Sequence, residues 1–194
     1  MDGRYLIHSI HKLAESDDNL SILKKLLDKE PSQLNIRNKK GLTPLMISSY
    51  CGSIGICNEL ISRGVDLDIK RKDGFTPMLI AAMRGTEKNI DLLLLLARNK
   101  ANVNITGPMG MSVLHFLTTK NYESAIIELI DVYKANVNIK TTEKSTPLHM
   151  ACKASNLRLA KILIEKGADK NIKNNNSKTP LELIDNLIDR NTLL

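Results

Sequence analysis

The stretch Ser145-Thr146-Pro147-Leu148-His149-Met150-Ala151-Cys152 constrains the fold most, because the chain keeps repeating it. Thr43-Pro44-Leu45-Met46-Ile47-Ser48 and Thr76-Pro77-Met78-Leu79-Ile80-Ala81 are further copies. Ser112-Val113-Leu114-His115-Phe116-Leu117 is a worn one, and Thr179-Pro180-Leu181-Glu182-Leu183-Ile184 is the last. The steps between the Thr or Ser positions are 33, 36, 34 and 33 residues. A second ladder, Asn35, Asp68, Asn104, Asn138 and Asn171, has the same steps and runs eight residues ahead of the first. The connector is therefore constant in length, and the extra residues of the irregular repeats fall in the helical part. A period near 33 means supersecondary units that bury a core only by stacking on one another.

Each unit follows one physical plan. The Thr or Ser caps the amide groups at the start of a first helix, and Pro tolerates the first turn because its missing N–H has no partner there. Small residues such as Ser48, Ser49, Ala81, Ala82 and Ala151 let neighbouring helices approach. Gly52 and Gly85 permit the turn between helices; Asn121 and Ser155 replace them at some cost in strain. A second helix carries an apolar stripe, as in Leu157, Leu159, Ile162, Leu163 and Ile164. Gly64 and Gly167 then supply left-handed helix ends.

On these two ladders the chain resembles the ankyrin-repeat family over nearly its whole length. The resemblance implies an all-α solenoid with short β-hairpin fingers. About four full repeats would lie between a degenerate N-terminal and a partial C-terminal capping repeat. The expected organisation is one domain, 1–194, with repeats near 1–35, 36–68, 69–104, 105–138, 139–171 and 172–194. In the first, Leu6, Ile7, Ile10, Leu13 and Ala14 recur at helical spacing, and Asp17-Asp18-Asn19 breaks the run. A second helix then runs through Leu20, Leu23, Leu26 and Leu27 to Pro31. In the last, Thr179-Pro180 opens a helix with Leu181, Ile184, Leu187 and Ile188 on one side. The second helix of repeat 69–104 has three extra residues and is apolar on many sides. A longer helix covering its neighbours accounts for that; a weak dimer contact of an otherwise monomeric chain, through 90–97, is the alternative.

Composition narrows the function classes. Hydrophobic residues make up 42% of the chain, but aromatics only 3%, and Trp is absent. This suits thin helices packed on Leu, Ile, Ala and Met rather than an aromatic-rich pocket. Cys51, Cys57 and Cys152 form no Cys-x-x-Cys and no even framework, which indicates a reducing compartment with each thiol a small buried hydrophobe. Met1-Asp2-Gly3-Arg4 lacks the order of a signal peptide, and Asp2 occupies the position myristoylation needs. The apolar run Leu92 to Ala97 is too short to cross a bilayer. The expectation is no membrane insertion and a place in the cytoplasm or nucleus, of a host cell if the source is a virus or intracellular microbe.

No catalytic, metal or cofactor motif is present, so neither an enzyme nor a cofactor is expected. Gly107-Pro108-Met109-Gly110 lacks the lysine and helix motif of a phosphate loop. His115 and His149 have no second ligand at metal spacing. The resemblance makes them structural, each bonding the backbone of the neighbouring finger.

The fingers are distinctive. The seven residues between each ladder Asn or Asp and the next Thr or Ser hold ten basic residues: Arg37, Lys39, Lys40, Lys70, Arg71, Lys72, Lys140, Lys144, Lys173 and Lys178. Asp73 and Glu143 are their two acids. The formal charge of +7 is thus +8 on the fingers and −1 on the remainder. The residues just before Thr or Ser are Leu42, Phe75 and Met111 in three successive repeats, a position that the resemblance aims at a target. With Met109, and with Tyr50, Met83 and Arg84 before the inter-helix turns, they form an apolar strip with a basic border. The expected function is a non-enzymatic adaptor holding a protein with an acidic surface in a concave groove. Leu42, Tyr50, Phe75, Met109 and Met111 would anchor it, with Met83 in the same strip and an interior role the alternative for Met83 and Phe75, and Lys39, Lys40, Arg71, Lys72 and Arg84 would orient it. The alternative, nucleic acid or anionic lipid on the basic fingers, is disfavoured by a third finger without basic residues and by the lack of stacking aromatics.

Overall fold

A computed structural model describes residues 10–185 of the chain. The chain divides into two compact units, Met1–Asn102 and Val103–Leu194. Among the described residues the regular elements are helices. In the first unit residues 10–13 are helical and a 3₁₀ turn follows at Asp17–Asn19. Then come α1 (Leu20–Lys29), a 3₁₀ turn at Pro31–Asn35, α2 (Pro44–Cys51), α3 (Ile54–Ser62), α4 (Pro77–Arg84) and α5 (Glu87–Arg98). The second unit holds a 3₁₀ turn at Pro108–Gly110, α6 (Val113–Thr119), α7 (Glu123–Asp131), α8 (Pro147–Lys153), α9 (Leu157–Glu165) and a 3₁₀ turn at Leu181–Leu183. Leu6, Ile7, Leu187 and Ile188 lie outside the described residues.

The repeated Thr or Ser does the capping work read from the sequence. Thr43 and Thr76 accept the backbone N–H of Met46 and Leu79 at 3.3 Å, Thr146 that of His149 at 3.4 Å, and Ser112 that of His115 at 3.5 Å. The first helices end at residues with positive φ: Gly52 (75°), Gly85 (61°), Asn121 (60°) and Ser155 (53°). A side chain on Gly52 would also meet Lys88 Cβ at 2.9 Å. The second helices run into Gly64 and Gly167, and at the matching places into Lys100 and Lys134, again with positive φ.

Packing follows the repeat. In the first unit α2 lies against α4 and α3, and α5 against α4, α2 and α3. Leu45, Met46, Leu60, Leu79, Leu92, Leu93 and Leu96 are fully buried there. In the second, α6 packs on α8 and α7, and α8 on α9, around Leu117, Ile126, Leu129, Leu148, Leu159 and Leu163. Helix α5 has 12 residues where α3, α7 and α9 have 9. Its leucine run is mostly interior, with Leu94 and Leu95 half-buried.

At three places the structure departs from the sequence expectation or adds to it. Among the described residues no strand is formed, and the one antiparallel bridge joins Thr106 to Ser112. Each finger is instead a five-residue loop closed by two bonds. In the first, Asn38 N–H donates to Leu42 O at 2.9 Å and Gly41 N–H to Asn38 O at 2.8 Å. Arg71–Phe75, Gly107–Met111, Thr141–Ser145 and Asn174–Lys178 repeat the pattern. Its fourth residue always has positive φ: Gly41, Gly74, Gly110, Lys144 and Ser177. Apart from the Thr106–Ser112 bridge, no ladder is assigned around these loops among the described residues. Second, the helix expected from Thr179 reaches only a 3₁₀ turn, with Ile184 extended (φ −88°, ψ 117°). Third, Asp17 does more than interrupt: its carboxylate accepts the N–H of Ile56 at 2.8 Å and so caps α3, whose own N-cap Ser53 does not.

Candidate functional site

The finger ladder works as a staple. Asp68 accepts the N–H of Asn102 at 3.0 Å, Asn104 that of Asn136 at 2.7 Å and Asn138 that of Asp169 at 2.8 Å. Every acceptor thus holds the residue two places before the next ladder position. The buried histidines are staples as well. His115 Nδ1 accepts the N–H of Ser112 at 3.1 Å, which leaves the proton on Nε2 to donate to Ser145 O at 3.1 Å. His149 repeats this with Thr146 at 3.1 Å and Lys178 O at 3.2 Å. Burial pushes His115 down to about 4 and lowers His149, so both are neutral structural groups near neutral pH. His11 has the same role, with Nε2 at 2.9 Å from Leu42 O and 3.2 Å from Ile36 O. The sequence reading missed it, although Ile10-His11-x-x-Ala14 matches Leu148-His149-x-x-Cys152 in spacing.

Of these staples His11 holds Leu42, which lines an open cavity of about 730 Å³ in the first unit. It lies between the first two fingers and the outward sides of α2 and α4. Seven of the expected partner-binding residues line it: Lys39, Lys40, Leu42, Tyr50, Arg71, Phe75 and Met83. Ile47 and Ile80 complete the apolar floor, and Glu15, Asn38 and Cys51 the wall. Tyr50 is 47% exposed and Met83 37%, both large for apolar-bodied side chains on helices. Lys72 is exposed and lies outside the lining.

Its electrostatics are uneven. Arg71 sits 5.5 Å from the Phe75 ring and is tied by Nε to Asp73 Oδ1 at 2.7 Å, with a second bond from Nη2 to Oδ2. This arginine holds the Asp73 carboxyl below its ordinary range and largely spends its own charge. Arg37 donates to Gly41 O at 3.1 Å and Lys70 O at 2.9 Å, so it joins two fingers. Arg84 sits over Tyr50, with Cζ 4.3 Å from the ring centroid, and Nη1 donates to the phenol oxygen at 3.4 Å. Glu15 is met by Lys12 at 2.5 Å.

Met109 and Met111 belong to the second unit. Met109 is 72% exposed at φ 55°, and its carbonyl accepts the N–H of Thr142 at 3.0 Å. Met111 is half-buried and closes the third finger. The cysteines divide: Cys57 and Cys152 are buried, their thiols pushed up to about 12 by desolvation. Cys51 is exposed, against the expectation that all three are buried, because it ends α2 on the cavity side. Among the described residues no group of His, Cys, Asp and Glu could hold a metal ion, and no helix is long and apolar enough to cross a membrane.

Comparison with known proteins agrees with the repeat geometry. The family model described as "Ankyrin repeats (3 copies)" matches residues 10–107 and 86–174. The ankyrin repeat protein FPV230 of fowlpox virus (strain NVSL) is 28% identical over 172 residues, 87% of this chain and 87% of the viral protein. The target of rapamycin complex 2 subunit AVO2 of Saccharomyces cerevisiae is 30% identical over 86% of this chain, which spans 40% of that protein. A chain in the solved structure of the Bd0816 predatory endopeptidase from Bdellovibrio bacteriovorus in complex with immunity protein Bd3460 superposes with a TM-score of 0.78. It is 27% identical, and the match covers 90% of this chain and 89% of that one.

Proposed function

The chain belongs to the ankyrin-repeat family, and from that premise we propose that it is a non-enzymatic module that binds a partner protein through the first-unit cavity. One observation carries the reading. Half-exposed Tyr50 and Met83, with Leu42 and Phe75, surround an open, apolar-floored cavity whose rim carries Lys39 and Lys40. Apolar side chains held in the open on a stapled scaffold are what an interface anchor requires. The rim charge selects an acidic partner surface and speeds encounter with it, while the anchors hold the complex. Met109 and Met111 would serve as further anchors on the second unit. A structural neighbour taken from the complex of an endopeptidase with an immunity protein fits a module that binds other proteins.

The test is affinity capture by the tagged chain beside a Phe75→Ala, Met83→Glu double variant with unchanged circular dichroism. A protein captured by the native chain, lost by the variant and reconstituted as a purified complex supports the reading. Equal capture by both chains overturns the cavity assignment. Material removed by nuclease, or bound only to anionic vesicles, would transfer the function to the basic fingers.

A further inference from the structure

Arg71 lines the cavity, whereas Arg84 lies outside the lining and meets it through Tyr50, and the two differ in a way that bears on what the cavity accepts. Arg71 is neutralised within its own finger by Asp73. Arg84, at the C-terminal end of α4, is stacked on Tyr50 and has no carboxylate partner among the described residues. The same holds for Lys39 and Lys40, while Glu15 has Lys12. Nη1 donates to the Tyr50 hydroxyl, and a guanidinium held over an aromatic ring in this way has further N–H groups with which to bind a carboxylate. It is also pre-organised, so little side-chain entropy is lost on binding. The tyrosine beneath it also lines the cavity. An apolar seat and a planar cation therefore share one residue, Tyr50.

Resting on the proposed binding role, we infer that the cavity takes an extended acidic peptide segment of its partner. One apolar side chain of the segment seats between Leu42, Phe75 and Met83. A neighbouring Asp or Glu carboxylate is bound by Arg84 on its Tyr50 platform, and Lys39 and Lys40 take a second acidic group on the opposite rim. A volume of about 730 Å³ admits a few residues of a peptide and lies in the range of small-ligand clefts, about 300–1,000 Å³. The rim explains why the seat is selective: a neutral peptide fills the floor but leaves three cations without partners, and a basic one is repelled.

The probe is a phage-displayed library of random 12-residue peptides selected on the full chain, followed by fluorescence polarisation with the synthetic consensus peptide. The expected consensus pairs Leu, Ile, Met or Phe with Asp or Glu one or two places away. Arg84→Gln should weaken the consensus peptide at least about tenfold, the loss typical of a charged hydrogen-bonded contact. Arg84→Lys should not restore it, because a lysine keeps the charge but not the plane. Selection on Lys39→Glu, Lys40→Glu should lose the second acid. Apolar peptides without an acidic preference, abolished by Met83→Glu, would overturn this inference and leave the binding role standing. No enriched peptide would overturn this inference alone, and peptides whose binding ignores both Met83→Glu and Arg84→Gln would overturn it together with the cavity assignment.

Discussion

His11 Nε2 lies 2.9 Å from the carbonyl oxygen of Leu42, 31 residues away, and ties the first repeat to the first finger. The buried ring also reaches Ile36 O at 3.2 Å. His11→Ala leaves these carbonyls without their partner, at a cost of about 1–3 kcal/mol. Urea titration should show that loss. Amide exchange should show faster labelling of Gly41 and Leu42 than of residues 141–145. Unchanged exchange in the first finger would refute the staple.

Acid should unfold the second unit through its histidines. Burial depresses His115 to about 4 from 6.5 and lowers His149. The folded state therefore binds these protons less readily than the unfolded chain. The stability they contribute is present above about pH 6.5 and falls as pH drops below it, for His115 through about 4. For His115 alone the loss is roughly 3 kcal/mol, at about 1.36 kcal/mol per pH unit. His115→Gln should lower stability at pH 7 and flatten its decline between pH 6.5 and 4. A variant as acid-sensitive as the native chain would count against this.

Two glycines with similar φ should respond differently to alanine. At Gly64 (φ 78°) an added Cβ meets nothing within 4 Å, so the cost is the left-handed backbone alone, about 1–2 kcal/mol. At Gly110 (φ 69°) the same atom meets Thr142 N at 2.8 Å and Thr141 Cα at 3.0 Å. Both neighbours are backbone of the next finger, so Gly110→Ala should cost at least about 1 kcal/mol more. Equal losses in urea would mean that the third and fourth fingers part easily.

Asp73→Asn should release Arg71 toward the cavity. The pair is partly exposed, so stability should change by less than about 1 kcal/mol. Affinity for an acidic partner should instead rise severalfold at low salt and converge with native affinity at high salt. A gain independent of salt would point to a change in shape rather than charge.

Much of the fold was legible because it depends on local chemistry. Thr43 caps its own helix, and Gly52 ends the same helix two turns later. What escaped depends on partners a whole repeat away. Asp17 reads as a break within its own segment, yet it caps α3 from 39 residues off. His11 hides because Thr-Pro is missing around it. At the site, Leu42, Tyr50, Phe75 and Met83 were found by position. The difference between Arg71 and Arg84 was not, because it turns on whether an aspartate in one finger or a tyrosine on the preceding first helix meets each guanidinium.

Hydrogen–deuterium exchange of the full chain, alone and with its purified captured partner, tests the central claim most directly. Protection concentrated in 38–51 and 71–84 is the expected result, with α5 unchanged. Protection confined to 92–98, with the two fingers and the ends of α2 and α4 exchanging as before, would contradict it.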